Sequence, residues 1–175
     1  MTAPDFMKRT ALLLLLCAAV VLPGGCKDKP KVVSAEDKLK AENFVSEAQF
    51  SMQIREYARA EELFQKAIAV RGDYPEYWVA LGMARRDQDN TGGARKAYKK
   101  ALDLFEDRYD RDKNDEDLGQ EAWVLALLGR TDDAVALLDK SLKKHPDSVY
   151  LRKMADPNGL PHTFQTDDFK ALVAK

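Results

Sequence analysis

The sequence predicts an all-α fold in which antiparallel helix pairs stack along the chain and a final helix caps them. The 175 residues are rich in Ala, Leu, Lys, Glu, Asp and Arg, and glycine and proline are sparse outside residues 22–30 and the C-terminal segment, as expected of helices. Five columns of residues recur along the chain, first after 34 and then after 40 positions. Because each of these two steps is the same in all five columns, the pattern indicates an internal repeat. The columns are Phe44, Trp78 and Leu118; Ala48, Gly82 and Ala122; Ala60, Ala94 and Ala134; Phe64, Tyr98 and Leu138; and Ala67, Ala101 and Ser141.

Capping residues and the spacing of the repeat indicate where the helices begin and end. Ser34, followed three residues later by Asp37, is expected to cap the first helix, and Thr131 is expected to cap the sixth. The six extra residues of the longer step are expected to form a loop in the segment DRYDRDKND, residues 107–115. The predicted helices cover residues 35–54, 57–70, 75–88, 92–106, 116–128 and 132–144, with a capping helix at 147–155.

The columns resemble the tetratricopeptide repeat, in which a large residue, a small residue four positions later, and then Ala, an aromatic residue and Ala in a second helix define one helix pair. The segment WVALG, from Trp78 to Gly82, is the closest local match. Glu47 and Glu121 depart from the pattern, because they stand where the family usually has Leu. The resemblance implies a short right-handed solenoid within residues 34–155, made of repeats 41–74, 75–108 and 115–148 and the capping helix 147–155, and followed by a tail, 156–175.

The resemblance also implies a binding surface for another protein, because the first helix of each pair lines the concave groove in this family. The groove face is expected beside the packing face, at i, i+4, i+7 spacing. Most of its side chains are apolar, and Met and Trp suit adaptable recognition of an apolar or helical segment of a partner protein. The expected groove residues are Val45, Gln49, Met52, Val79, Met83, Arg86, Trp123 and Ala126.

Three occupants of this groove remain open at the level of sequence. Trp123 lies in the segment WVLALLG, which is apolar on nearly every face, so something must cover it. The tail could do so through Leu160, Phe164, Phe169 or Leu172, an external partner could do so, or copies of the chain could associate. The alternative to a partner-binding scaffold is therefore a self-assembling structural protein whose groove is filled by its own tail.

The N-terminal segment has the order of a secretory signal. A basic stretch, Met7 to Arg9, precedes an apolar run from Ala11 to Leu22, and the small residues of Pro23-Gly24-Gly25 follow. Residues 1–25 are therefore expected to be a signal peptide, with Met1 or Met7 as the start. The apolar run is short for a permanent transmembrane helix, which is the weaker interpretation.

Cys26 is the expected site of lipidation. The segment LPGGC resembles a bacterial lipobox, although the Leu stands one position earlier than the family prefers. Once residues 1–25 are removed, no second cysteine remains for an intramolecular disulfide. Ordinary cleavage that leaves a free thiol is the alternative. A lipid on Cys26, with residues 26–33 as a tether, predicts a protein anchored in the bacterial cell envelope, and Lys27 favours the periplasmic side of the outer membrane.

Composition argues against several other functions. The net charge is −1, and basic residues do not form a stripe with aromatic residues, so nucleic acid is not an expected partner. The sequence contains no glycine-rich phosphate loop and no nucleophile with a plausible base. We therefore expect no enzymatic activity and no cofactor.

One segment comes close to a metal-binding motif. Asp110, Asp112, Asn114 and Glu121 follow the spacing of a calcium-binding loop, but Asp115 replaces the glycine that its sharp turn requires. A calcium-dependent regulator is therefore a weaker hypothesis, and no metal site is predicted. The segment is expected to be a solvated acidic loop between repeats.

Overall fold

The computed structural model describes residues 33–173, which form helices joined by short turns and contain no β-strand. The predicted signal peptide and Cys26 lie outside these described residues. The helices are α1 (Ala35–Gln53), α2 (Tyr57–Val70), α3 (Pro75–Arg86), α4 (Thr91–Asp112), α5 (Asp115–Leu127), α6 (Thr131–Lys144), α7 (Val149–Met154), α8 (Leu160–Thr163) and α9 (Asp167–Leu172).

The helices pack in sequential pairs. Helix α1 packs on α2, α3 on α4 and α5 on α6, while contacts of α2 with α3 and of α4 with α5 join successive pairs. Helix α7 packs on both α5 and α6 at the position where the sequence predicts a capping helix. The predicted all-α stack of helix pairs is confirmed. Among residues 33–173, none of the helices combines the length and the apolar character needed to cross a membrane.

Small residues in the repeated columns let paired helices approach closely. Ala48 and Ala122 are fully buried. In the second pair the corresponding residue is Gly82, where an added Cβ would lie 2.2 Å from Cε1 of Tyr98. Tyr98 is itself fully buried, so its ring occupies the space that a side chain at position 82 would need. The close packing of α3 against α4 therefore depends on glycine at position 82.

Helix α4 is longer than the sequence predicts. The expected loop at 107–115 is wrong for most of its length, because α4 continues to Asp112 and ends where Lys113 adopts a left-handed conformation with φ of 53°. The extension is held by Arg108, whose Nη2 lies 2.7 Å from Oε1 of Glu76 and 2.6 Å from Oδ1 of Asp117. Asp117 is 2 % exposed. Because α4 is helical there, Asp110 and Asp112 do not form the calcium-type loop.

One of the two predicted helix caps is present. The Ser34 hydroxyl accepts a hydrogen bond from the backbone N–H of Asp37 at 3.0 Å. The prediction that Thr131 caps α6 is wrong, because Arg130 occupies the cap position and makes no side-chain capping bond. Asp132 and Asp133 lie in the first turn of α6 instead, where their negative charges favour the positive end of the helix dipole.

We predict that Gly82→Ala destabilises the fold by about 1–3 kcal/mol, because the new methyl group overpacks a filled core. Adding Tyr98→Leu should recover part of this loss, because the third pair combines alanine with leucine at the same two columns, Ala122 and Leu138. Urea unfolding of the two single variants and the double variant measures this coupling.

Gly92→Ala is the matched control for that experiment. Gly92 lies in the first turn of α4, and an added Cβ there would meet no atom within 4 Å. This substitution should leave stability unchanged or raise it slightly, since alanine favours helix more than glycine does. Equal effects of the two glycine substitutions would contradict the close-approach explanation.

Candidate functional site

The predicted groove residues of α1 lie at the edge of the N-terminal core. Val45 and Met52 are half-buried and pack against a cluster that includes Phe64 and Leu81. Gln49 is exposed between them. On α1, therefore, the side chain that an incoming partner would meet first is polar, and apolar surface lies on both sides of it.

The predicted groove residues of α3 and α5 lie beside a second core cluster. Val79, Met83 and Trp123 are half-buried and pack against this cluster, and Ala126 is fully buried within it. Arg86 is held by its neighbour, since its Nη2 lies 2.6 Å from Oδ1 of Asp87. This part of the face is apolar, in contrast to the surface around Gln49.

The C-terminal tail covers Trp123. Phe164 and Phe169 are 4 % and 2 % exposed, and their ring centroids lie 6.2 Å and 5.1 Å from that of Trp123. The two phenylalanine rings also contact each other, with centroids 5.0 Å apart. Leu160 and Leu172, which the sequence also suggested, pack against the same cluster. The tail therefore occupies the apolar part of the predicted groove face.

Local hydrogen bonds set the shape of the tail. The Thr166 hydroxyl caps α9 by accepting from the backbone N–H of Phe169 at 3.2 Å, and it donates to the carbonyl oxygen of Thr163 at 2.8 Å. The tail, for which no helix was predicted, forms the two short helices α8 and α9. The signal for the second one is the Thr166–Asp167–Asp168 run, in which a capping residue precedes an acidic first turn.

A second part of the face is open. Helices α1 and α3, with the turn that precedes α3, line a depression of about 370 Å³. Its walls include Gln49, Arg71, Tyr74 and Glu76. The Arg71 guanidinium lies 4.6 Å from the centroid of the Tyr74 ring, which is a cation–π distance. This surface offers hydrogen-bonding groups, both signs of charge and an aromatic face.

Sequence reasoning missed Arg71, Tyr74 and Glu76 as groove residues. It placed the groove on the first helices at i, i+4, i+7 spacing, and two of these three residues come from the turn between α2 and α3. Tyr74 and the neighbouring Tyr77, whose ring centroids are 4.7 Å apart, are a sequence signal that could have directed attention to this turn.

Two matches to family models identify the family. Models of the tetratricopeptide repeat family match residues 51–109 and residues 120–148. The chain is a tetratricopeptide repeat protein. A comparison with curated proteins gave no match.

This family typically provides scaffolds that bind other proteins or peptides and that are not enzymes. Nothing in the comparisons indicates catalytic activity. Within residues 33–173, no group of three or more His, Cys, Asp or Glu side chains is placed to hold a metal ion. In this tetratricopeptide repeat protein the candidate site is therefore the face of α1, α3 and α5, whose apolar part is covered by the tail and whose polar part is open.

We predict that replacing Phe164 and Phe169 with alanine releases the tail from Trp123. Removing either buried ring should cost about 3 kcal/mol or more of packing, so the emission of Trp123 should shift to the red. The measurement uses a Trp78→Phe background, so that the tryptophan fluorescence comes from Trp123 alone. Circular dichroism should show that the six helices of the paired repeats remain folded.

His162→Ala is the control for tail release, because His162 is an exposed tail residue. It should leave the Trp123 emission at its original wavelength. An unchanged spectrum in the double phenylalanine variant would show that the two rings do not cover Trp123 in solution.

Proposed function

We propose that this tetratricopeptide repeat protein is a lipid-anchored scaffold of the bacterial cell envelope, which binds an apolar or helical segment of a partner protein through the face of α1, α3 and α5. The proposal combines the family with two features of this chain. The first is the docking of a short helix on Trp123, and the second is the lipobox-like segment that ends at Cys26.

The observation that carries the binding proposal is the packing of α9 on Trp123. The rings of Phe164 and Phe169, five residues apart, lie against one tryptophan. A face that accepts this segment of its own chain has the chemistry to accept a partner segment with aromatic side chains at similar spacing. Laying an amphipathic helix into an apolar groove is a recurring mode of peptide recognition.

The polar depression is the open surface at which the proposed partner would make its first contacts. Gln49, Arg71 and Glu76 face solvent or are only partly buried there, and none of the described tail residues, 156–173, lines the depression. A segment that extends from the Trp123 region along α3 towards α1 would meet these groups next. We therefore assign the partner two kinds of contact: aromatic or aliphatic side chains near Trp123 and polar groups near Gln49.

The anchoring proposal rests on the N-terminal sequence. An apolar run, small residues and Cys26 occur in the order that precedes lipid attachment. Ala35 begins α1 nine residues after Cys26, so a lipid at that cysteine would hold the repeats close to the membrane surface. More than one acyl chain gives stable anchoring.

Photocrosslinking in the native host tests the binding proposal. We expect a photoreactive residue at position 49 to give a distinct protein adduct, and one at position 83 to give the same adduct in higher yield when Phe164 and Phe169 are replaced by alanine. A probe at Lys99, an exposed residue of α4, is the matched control and should give no such adduct. Internal crosslinks from position 83 to the tail, with no adduct from position 49 in any background, would contradict the proposal.

Metabolic labelling with an alkyne fatty acid tests the anchor separately. We expect the wild type and Cys17→Ser to be labelled and to sediment with membranes, and Cys26→Ser to lose both properties. Cys17 is the matched control because it lies inside the apolar run. Labelling that persists in Cys26→Ser would show that the lipid, if present, is attached elsewhere.

The tail contacts also favour a second candidate, a structural lipoprotein whose face is filled by its own tail. In that case copies could exchange tails and assemble, since an identical element can be swapped between protomers. Light scattering on the full chain distinguishes the two: assemblies that dissociate on Phe164→Ala with Phe169→Ala support tail exchange, and a monomer in both forms opposes it.

A further inference from the structure

Glu121 occupies a position that is apolar in the preceding repeat. The repeat offset of 40 residues places it on Leu81, and the offset of 34 before that places Leu81 on Glu47. Leu81 is 2 % exposed in the core of the second pair. Glu47, on α1, is exposed. Of these three positions, Glu121 alone puts a carboxylate in the interior.

One oxygen of the Glu121 carboxylate is buried without a hydrogen-bond partner within residues 33–173. Its residue is 6 % exposed, and Oε1 is buried with no hydrogen-bond partner among the described residues. A buried charge normally needs a partner, because removing it from water is costly. Departures from local folding rules of this kind occur at functional sites.

The glutamate lines a cleft that the lengthened α4 helps to build. The cleft has a volume of about 310 Å³ and lies among α4, α5 and α6. Tyr109 and Asp110, which belong to the extension of α4 beyond the predicted end, form part of one wall, and Leu118 and Leu137 supply apolar surface. The extension of α4 and the glutamate that stands in place of leucine therefore line the same cleft.

Burial and the charges of nearby acidic groups both act on Glu121. Burial raises the pKa of Glu121 to about 7, and the negative charges of Glu106, Asp117 and Asp110 act in the same direction. Asp117 is neutralised by Arg108, and Asp110 is paired with Lys113 at 3.1 Å. Glu106 and Glu121 remain as the carboxylates that this cleft offers to a ligand.

Two lysines of α6 complete the charges around the cleft. Lys140 and Lys144 line it as exposed side chains, and neither makes a salt bridge to Glu121 among residues 33–173. They therefore stand as solvated charges at the rim.

We propose that this cleft binds an ammonium group carried on an aliphatic chain, with the Glu121 carboxylate as its principal partner. The ammonium group is attracted by the carboxylates of Glu121 and Glu106, which both line the cleft. The aliphatic stem packs against Leu118 and Leu137. Both a free alkylamine and a lysine side chain of another polypeptide have this chemistry.

The test measures binding of two probes to the full-length chain by isothermal calorimetry and by thermal unfolding. The probes are n-butylammonium for a free amine and Nα-acetyl-lysine methylamide for a peptide lysine, with n-butanol as the uncharged isostere. The variants are Glu121→Gln and the matched control Glu47→Gln, which makes the same change at the exposed equivalent position. Glu121→Leu, which restores the residue type of Leu81, serves as a second, well-packed variant.

We expect saturable binding of at least one charged probe to the wild type and to Glu47→Gln. Affinity should fall about tenfold or more in Glu121→Gln, since a hydrogen bond to a charged group is stronger than one to a neutral group. It should be absent in Glu121→Leu, although that variant should unfold at a higher temperature than the wild type. The probe that binds more tightly identifies the source of the ammonium group.

The pH dependence gives a second readout. Because the pKa of Glu121 in the folded state, about 7, lies above its ordinary value of 4.5, the folded chain holds the extra proton between these values. The unfolding temperature of the wild type relative to Glu121→Gln should therefore fall as pH rises from about 4.5 to 7. Ammonium binding should strengthen over the upper part of this range. Equal binding to the wild type and Glu121→Gln, or no saturable binding of either charged probe at pH 8, would overturn the proposal.

Discussion

The close approach of paired helices at small residues is the constraint on which the rest of this structure depends. A Cβ on Gly82 would overlap the Tyr98 ring, and Ala48 and Ala122 hold the corresponding positions with no exposed surface. Because a single helix pair cannot bury its apolar face alone, each pair must also pack on the next. The spacing within each pair therefore sets where α1, α3 and α5 present their groove residues.

Arg108 links this packing to the site. It pairs with Glu76 of α3 and with the buried Asp117 of α5, and so it joins successive first helices through the second helix between them. A buried carboxylate without its partner is strongly destabilising, so this contact restricts how α3 and α5 can move relative to each other. Glu76 also lines the open depression, which places the link at the edge of the proposed binding surface.

The sequence was sufficient to predict the repeated helix pairs, because the five columns combine a helical period with a fixed order of large and small residues, and both signals can be read locally. It was insufficient for α4, where the charged run from Asp107 to Asp115 predicted a loop, whereas the helix continues to Asp112 and its Arg108 pairs with Glu76 and Asp117. It also pointed to Phe164 and Phe169 as possible covers of Trp123 but could not choose between them and a partner. That choice depends on where the tail lies in space, which local pattern does not encode.

The covered tryptophan has a consequence for how the proposed partner would bind. A segment tethered to its own site by a short linker acts at an effective concentration in the millimolar range. The apparent affinity of an external segment for Trp123 is therefore its intrinsic affinity multiplied by the fraction of molecules in which the tail is released. Binding at the depression beside Gln49 is not reduced by this competition, because none of the described tail residues, 156–173, lines it. A partner that first engages this polar part and then displaces Phe164 and Phe169 converts the second step into an intramolecular exchange. The division of the face into an open polar part and a covered apolar part therefore favours a partner with two adjoining recognition elements over one with a single apolar helix.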